Sequence, residues 1–142
     1  MNVRTAIDLA IQTMKIDTTQ IFMVGHSFGC NTAAMLSAID FRIDYFVFMT
    51  GIASMTKNLT ETQLEDFVEW RTTDQEQFAQ WIRKTKILDA EHYLPFKKAP
   101  CFIQVANQDE YISGAENEAF IQVTAAPKKA IKYDSNHALN QK

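Results

Sequence analysis

The sequence predicts a mixed α/β domain built on a mostly parallel sheet flanked by helices, and three observations carry that expectation. Residues 20–24, 44–49 and 101–106 are short runs of mainly apolar, β-branched and aromatic side chains with no sustained polar alternation, as expected of strands covered on both faces. Residues 3–14 and 31–39 instead place apolar side chains at helical spacing, so strands and helices take turns along the chain. Residues 25–29 form a tight turn that joins the first of these strands directly to a helix.

Val3, Ala6, Ile7, Ala10, Ile11 and Met14 recur at steps of three and four and form one helical face, which Asp17, Thr18 and Thr19 end. The helix over 31–39 is rich in small residues that permit close packing. Pro100 closes the loop before the third strand. Residues 116–123 read as a helix and 130–133 as a fourth, short strand. The whole of 1–142 is one domain by this reading, interrupted by a helical insertion at about 56–94. There Thr60 and Gln63 have the spacing of a capping box, in which each side chain satisfies the other's free N–H. Leu64, Phe67 and Val68, with Arg71, make the stripe of the helix that follows. Asp74 opens a second helix with the stripe Phe78, Trp81, Ile82 and Thr85. Amphipathicity fits a lid over a site and a plain packing pair equally well. Trp70 and Trp81 either line an apolar acyl pocket beneath the insertion or pack in the core.

Composition narrows the function classes. Apolar residues are 46% and charged residues 22% of 142, which is globular rather than disordered. A formal charge of −3 provides no basic footprint for nucleic acid or an anionic membrane. The lysine pairs Lys97–Lys98 and Lys128–Lys129 read as solvated loop charges. No apolar run approaches the ~20 residues of a membrane span, and the first fourteen residues lack the pattern of a signal peptide. Cys30 and Cys101 are too few for a disulfide framework and have no metal-ligand neighbours, so a reducing cytoplasm is the default and no metal or cofactor is expected. Cys30 reads as a small buried helix residue, and Cys101 opens a core strand. Met23, Met35 and Met49 fall at core positions.

The chemistry concentrates in Gly25-His26-Ser27-Phe28-Gly29, which follows a strand and precedes a helix. A serine at such a sharp corner is held in strained backbone with its hydroxyl lifted clear of the sheet. Side chains at the flanking positions would collide, hence glycine at 25 and 29. The N–H of Phe28, in the first helical turn, points where a carbonyl oxygen would gather charge, and the helix dipole adds to it.

A serine hydroxyl needs a base. His26 leaves the corner in another direction and reads as packing and orienting. His92, at the end of the insertion, reads as a surface or lid residue. His137 follows the last strand, at the same sheet edge as Ser27 and where sites of open parallel sheets assemble. The group that orients the base is Asp109, just past the third strand. Glu110 beside it is expected to face away, Asp134 is too close to His137 in sequence, and no carboxylate follows the second strand at Thr50-Gly51.

These three elements resemble the α/β-hydrolase superfamily, especially its small dienelactone-hydrolase-like and serine-peptidase-like esterases. Residues 24–29 resemble the nucleophile elbow, 104–109 the acid loop and 133–137 the histidine loop, in the order Ser, Asp, His. The resemblance implies a serine hydrolase acting on a small-molecule ester, thioester or amide, with Ser27, Asp109 and His137 catalytic and no cofactor. Serine at the corner departs from the dehalogenase and epoxide-hydrolase branches, which use aspartate, and from dienelactone hydrolases proper, which use cysteine. The resemblance also implies strands ahead of the nucleophile strand and a second oxyanion donor in their loops, whereas Met1 stands on the helix just before that strand. Losing one donor costs about 10²–10³ in turnover. An exposed edge strand would favour self-association. The other reading is a degenerate or truncated hydrolase kept as a non-catalytic binding or oligomerising module.

Overall fold

The structure, a computed structural model, describes residues 2–140. Four strands, β1 (Phe22–His26), β2 (Tyr45–Met49), β3 (Cys101–Ala106) and β4 (Lys128–Tyr133), form one sheet in the order β1-β2-β3-β4. Every neighbouring pair is parallel, with Gly25 opposite Phe48, Phe48 opposite Ile103 and Ile103 opposite Ala130. Parallel neighbours require a crossover between them. These are α2 (Phe28–Ile39) between β1 and β2, a long helical segment between β2 and β3, and α6 (Gly114–Val123) between β3 and β4. The mixed α/β sheet expected from the apolar runs is therefore present. α1 (Val3–Thr13) precedes it, capped by the Asn2 side chain, which accepts from the Thr5 N–H.

Burial differs from the expectation of two covered faces. Along β2, Phe46 and Phe48 are buried while Tyr45, Val47 and Met49 are half-buried. The buried face carries Phe46, Phe48, Ile103 and Val105 against Cys30, Ala33 and Ala34 of α2, Phe120 of α6, and Ala90 and Leu94. Alanines at 33 and 34 bring the α2 backbone close to the sheet, which is what the small residues of that helix supply. The other face is apolar too but more open, with Phe22 and Val24 of β1 each 61% exposed. The two sheet edges contrast. β4 presents Lys128, Lys129 and Lys132 to solvent, charges that discourage strand addition, whereas β1 presents apolar side chains.

The segment between β2 and β3 holds three α-helices rather than two. α3 (Met55–Glu61), α4 (Glu65–Thr73) and α5 (Gln75–Thr85) are followed by 3-10 turns at Lys86–Leu88, Ala90–His92 and Leu94–Phe96. The capping box at Thr60 and Gln63 does not form. Thr60 lies inside α3, donating its hydroxyl to the Lys57 carbonyl, and α4 begins after Leu64 with no side-chain cap. The cause is Ser54, which caps α3 at an earlier start, reinforced by the buried Asp89 carboxylate accepting from the Thr56 N–H (3.0 Å) and the Ser54 hydroxyl (2.9 Å). Asp74 does cap α5, accepting from the Gln77 N–H. A capping box not expected from the sequence opens α6, between Ser113 and Glu116.

Lys97 is not a solvated loop charge. It is 3% exposed, and its ammonium donates to the carbonyls of Ala99 (2.7 Å) and Pro127 (3.2 Å). Burial pushes the Lys97 amine below its ordinary pKa. Its role is to tie together the loops that enter β3 and β4. Both cysteines are buried, and burial raises the Cys30 thiol to about 12, which removes its reactivity. Among the described residues no helix is long and apolar enough to cross a membrane.

Candidate active site

The parallel sheet sets all three sequence-predicted polar residues at one edge. Ser27 follows β1, Asp109 follows β3 by three residues, and His137 follows β4 by four, each past the carboxyl end of its strand.

Ser27 is a single residue between strand and helix. Its φ of 53° and ψ of −123° lie where side chains other than glycine are strained. The corner is held open by its backbone. The Ser27 N–H donates to the Met49 carbonyl of β2 (2.9 Å), and the Ser27 carbonyl accepts from the Cys30 N–H (2.9 Å). The side chain makes no cap to the helix it precedes, so its hydroxyl is left for other work. The Phe28 N–H, first in α2, has no helical acceptor and donates to no described residue.

The two glycines of the corner are not equivalent, contrary to the expectation that both exclude a colliding side chain. A Cβ on Gly25 would stand 2.6 Å from the Gly29 carbonyl oxygen and 2.8 Å from its carbon, whereas a Cβ on Gly29 meets nothing within 4 Å. Gly25 is needed because β1 and α2 touch through backbone. We expect Gly25→Ala to cost about 2–3 kcal/mol as an overpacked contact with no room to relax. Gly29→Ala should be neutral or stabilising, since alanine favours a helix by about 1 kcal/mol over glycine. Thermal melts of the two variants check this, and equal destabilisation would refute it.

Asp109 and His137 meet directly. His137 Nδ1 lies 2.8 Å from Asp109 Oδ2, with the Asp109 side chain wholly buried and that of His137 13% exposed. The other carboxylate oxygen, Oδ1, accepts from the N–H groups of Tyr111 and Ile112, both at 2.9 Å. Asp109 thus ties its own loop while holding the ring, and the Nδ1 proton it accepts leaves Nε2 as the free basic nitrogen.

His137 must reach back from β4 toward β1, across strands spaced about 4.8 Å apart. Further contacts help hold it there, among them the Thr50 hydroxyl, which donates to the His137 carbonyl at 3.4 Å. His26 Nε2–H donates to the His137 carbonyl (3.0 Å), with the two imidazole rings 5.2 Å apart. The His137 N–H donates to Glu110 Oε2 (3.2 Å). The Tyr111 ring meets the imidazole edge-on at 5.1 Å. Glu110 therefore faces the histidine loop rather than away from it. The Asx turn made by Asp109 Oδ1 bends the chain and brings its neighbour around. Asp134 accepts from the Gln108 amide (2.7 Å) and not from His137.

Ser27 and His137 share the wall of one cavity of about 140 Å³, with Phe28, Asn31, Ile52, Met55, Asn58, Tyr111 and Ile112. Asn58, Tyr111 and Ile112 also line a neighbouring cleft of about 540 Å³ between α3 and the acid loop. Trp70 and Trp81 line neither. They pack edge-on against each other at 5.3 Å, and Trp70 against Phe78 at 5.1 Å, which joins α4 to α5. His92 is exposed beside Tyr93. Tyr111, Asn58, Ile52 and Asn31 went unnoticed in the sequence because ordinary polar and apolar residues carry no local signature of a cavity.

No protein-family model matches the chain, and no curated protein does. Solved structures do. An acetyl xylan esterase from Paenibacillus sp. R4 is 20% identical, with a TM-score of 0.76 over 94% of this chain and 45% of its own. A 2,6-dihydroxy-pseudo-oxynicotine hydrolase is 18% identical, with a TM-score of 0.73 over 96% of this chain and 39% of its own. The esterase domain of a Rhodothermus marinus protein is 10% identical, with a TM-score of 0.69 over 98% of this chain and 61% of its own. The likeness is one of fold: the chain has the α/β-hydrolase fold across a region equal to about half the length of these neighbours.

Proposed function

We propose that this chain carries the catalytic centre of a serine hydrolase that cleaves a carboxylic ester, thioester or amide through an acyl-enzyme on Ser27. The observation that supports it most is the buried Asp109–His137 pair at 2.8 Å on the wall of the cavity that also holds Ser27. In this reading His137 Nε2 takes the Ser27 proton as Oγ adds to the carbonyl carbon, and Asp109 steadies the imidazolium. The oxyanion forms against the Phe28 N–H at the positive end of α2. His137 then returns the proton to the leaving group. Water, deprotonated by the same nitrogen, releases the acid and regenerates Ser27. The neighbours named as esterases and hydrolases favour the same chemistry. A fluorophosphonate probe tests it: folded protein should be labelled, and Ser27→Ala should not. Unlabelled folded wild type would overturn the reading.

The cavity beside Ser27 supports a short acyl group. Its ~140 Å³ is close to that of a cavity known to hold benzene, about 150 Å³. Tyr111, with Asn58 and Ile112, lines both this cavity and the larger cleft. Turnover of p-nitrophenyl esters should fall by tenfold or more from butyrate to octanoate. Tyr111→Ala, which removes the largest side chain that the two spaces share, should flatten that profile. A chain-length profile unchanged by the variant would refute that role of Tyr111.

The alternative reading, a non-catalytic binding or oligomerising module, is favoured by one feature, the open apolar edge at β1. The same probe separates the two, since a module has no activated serine to label.

A further inference from the structure

Besides Ser27, two non-glycine residues among those described have a positive φ, Thr50 at 48° and Leu139 at 55°. Leu139 closes the turn that carries His137, its N–H donating to the Asn136 carbonyl at 2.9 Å. Thr50 stands directly after β2. A β-branched side chain is poorly suited to this region, which turns usually fill with glycine or asparagine. Thr50 is nonetheless wholly buried. Its N–H donates to the Gln104 carbonyl at 2.8 Å, a bond that glycine would make as well. The strain is therefore explained by the side chain and not by the turn.

The Thr50 hydroxyl has one proton and two carbonyls within reach, that of Met49 at 2.8 Å and that of His137 at 3.4 Å. The first also accepts the Ser27 N–H (2.9 Å), and the second the His26 Nε2–H (3.0 Å). Thr50 thus stands between the carbonyl that holds the corner of Ser27 and the carbonyl of the base. It does not line the cavity beside Ser27, so it acts on the reaction only through the groups it holds. Resting on the hydrolase reading above, we propose that Thr50 is a positioning residue: its strained backbone sets a hydroxyl between the Met49 and His137 carbonyls and thereby fixes the reach of His137 Nε2 to the Ser27 oxygen.

Burial and branching suit Thr50 to this task. The other donor to the His137 carbonyl, His26, is exposed, whereas Thr50 is sealed in. A β-branched side chain is stiff at χ1, so the backbone conformation and the direction of the hydroxyl are set together. Serine keeps the hydroxyl on a looser arm, and valine puts a methyl in its place. Valine orphans neither carbonyl, since Met49 keeps the Ser27 N–H and His137 keeps the His26 donor. What valine removes is the link between the two loops. A misplacement of 1 Å in a reacting group costs about 10² in rate, so a smaller drift of His137 is enough for about tenfold.

The test reads kcat and KM for p-nitrophenyl butyrate, with thermal melts, in Thr50→Val, Thr50→Ser and Thr50→Gly. Thr50→Val should lose about tenfold in kcat, with KM within about twofold and Tm close to wild type. Thr50→Ser should recover most of the lost kcat. Thr50→Gly should melt within a few degrees of wild type, relief of strain offsetting lost packing, yet lose kcat as valine does. A residue needed for the fold alone predicts otherwise: activity would follow Tm, and serine would rescue no better than glycine. If Thr50→Val does not fold, the glycine variant decides alone. Three results would overturn the role of Thr50 and leave the hydrolase reading intact, provided that the fluorophosphonate labels Ser27 in wild type. These are wild-type kcat in a folded valine or glycine variant, a serine variant as slow as valine, and a glycine variant that does not fold. A folded wild type that neither labels nor hydrolyses the ester would overturn both.

Discussion

Ser27→Gly is expected to lower ester turnover by a factor of about 10⁴–10⁶ while raising thermal stability. Removing the nucleophile of a serine hydrolase typically leaves only what the oxyanion donor and substrate binding supply. The stability gain comes from the backbone. At φ 53° and ψ −123° a side chain of any kind is strained, and such residues cost about 1–3 kcal/mol. Glycine adopts this geometry without that penalty, against which stands about 0.4–1 kcal/mol from the freer unfolded chain. The balance is roughly +1 kcal/mol, a rise of a few degrees in Tm. Opposite movements in activity and melting temperature are diagnostic. A variant that is merely misfolded loses both, and a serine with no catalytic duty loses neither. A Ser27→Gly protein that melts lower than wild type, or that keeps a tenth of its turnover, contradicts the expectation. The strain at Ser27 is thus the part of the fold that stability would discard and that the proposed chemistry keeps.

What the sequence made legible, and what it did not, divides along a physical line. The strands at 44–49 and 101–106 and the corner at 25–29 depend on local pattern and on steric limits within a few residues, and these survive folding almost unchanged. Asp109 and His137 were legible for a related reason: in a parallel sheet every loop after a strand ends at the same edge, so order along the chain places them together. The failures are choices between equivalent local signals. Thr60 with Gln63 and Ser113 with Glu116 offer the same capping chemistry. Only the second forms, because Asp89, far along the chain, commits the segment at Ser54–Thr56 to an earlier helix start. The facing of Glu110 was decided by the turn at Asp109, and the burial of Lys97 by carbonyls at 99 and 127. Gly25 and Gly29 look alike in a motif, but the contact between them is one-sided: the missing Cβ of the first makes room for the carbonyl of the second.

Asp109→Asn is expected to reduce kcat by about 10⁴ with the fold retained, and the two oxygens of Asp109 explain both halves of that statement. Oδ1 accepts two backbone N–H groups, from Tyr111 and Ile112, and Oδ2 faces His137 Nδ1. An asparagine placed with its oxygen toward the backbone keeps the turn and turns its NH₂ to the imidazole. Nδ1 must then accept, the ring proton moves to Nε2, and the nitrogen that should take the Ser27 proton already carries one. The reverse placement would keep the tautomer but set an NH₂ against two N–H donors in a wholly buried position, sacrificing both bonds at about 1–3 kcal/mol each. The first orientation is therefore preferred, and the variant is folded with the wrong tautomer. Asp109→Ala differs in kind: it loses the turn as well, so it should melt several degrees lower and release Glu110 and Tyr111 from the histidine loop. Steady-state kinetics with circular-dichroism melting on the two variants separates these effects. If Asp109→Asn retained more than a tenth of wild-type kcat, tautomer control by this carboxylate would be refuted, and the buried pair would have to be read as a support for the loop alone.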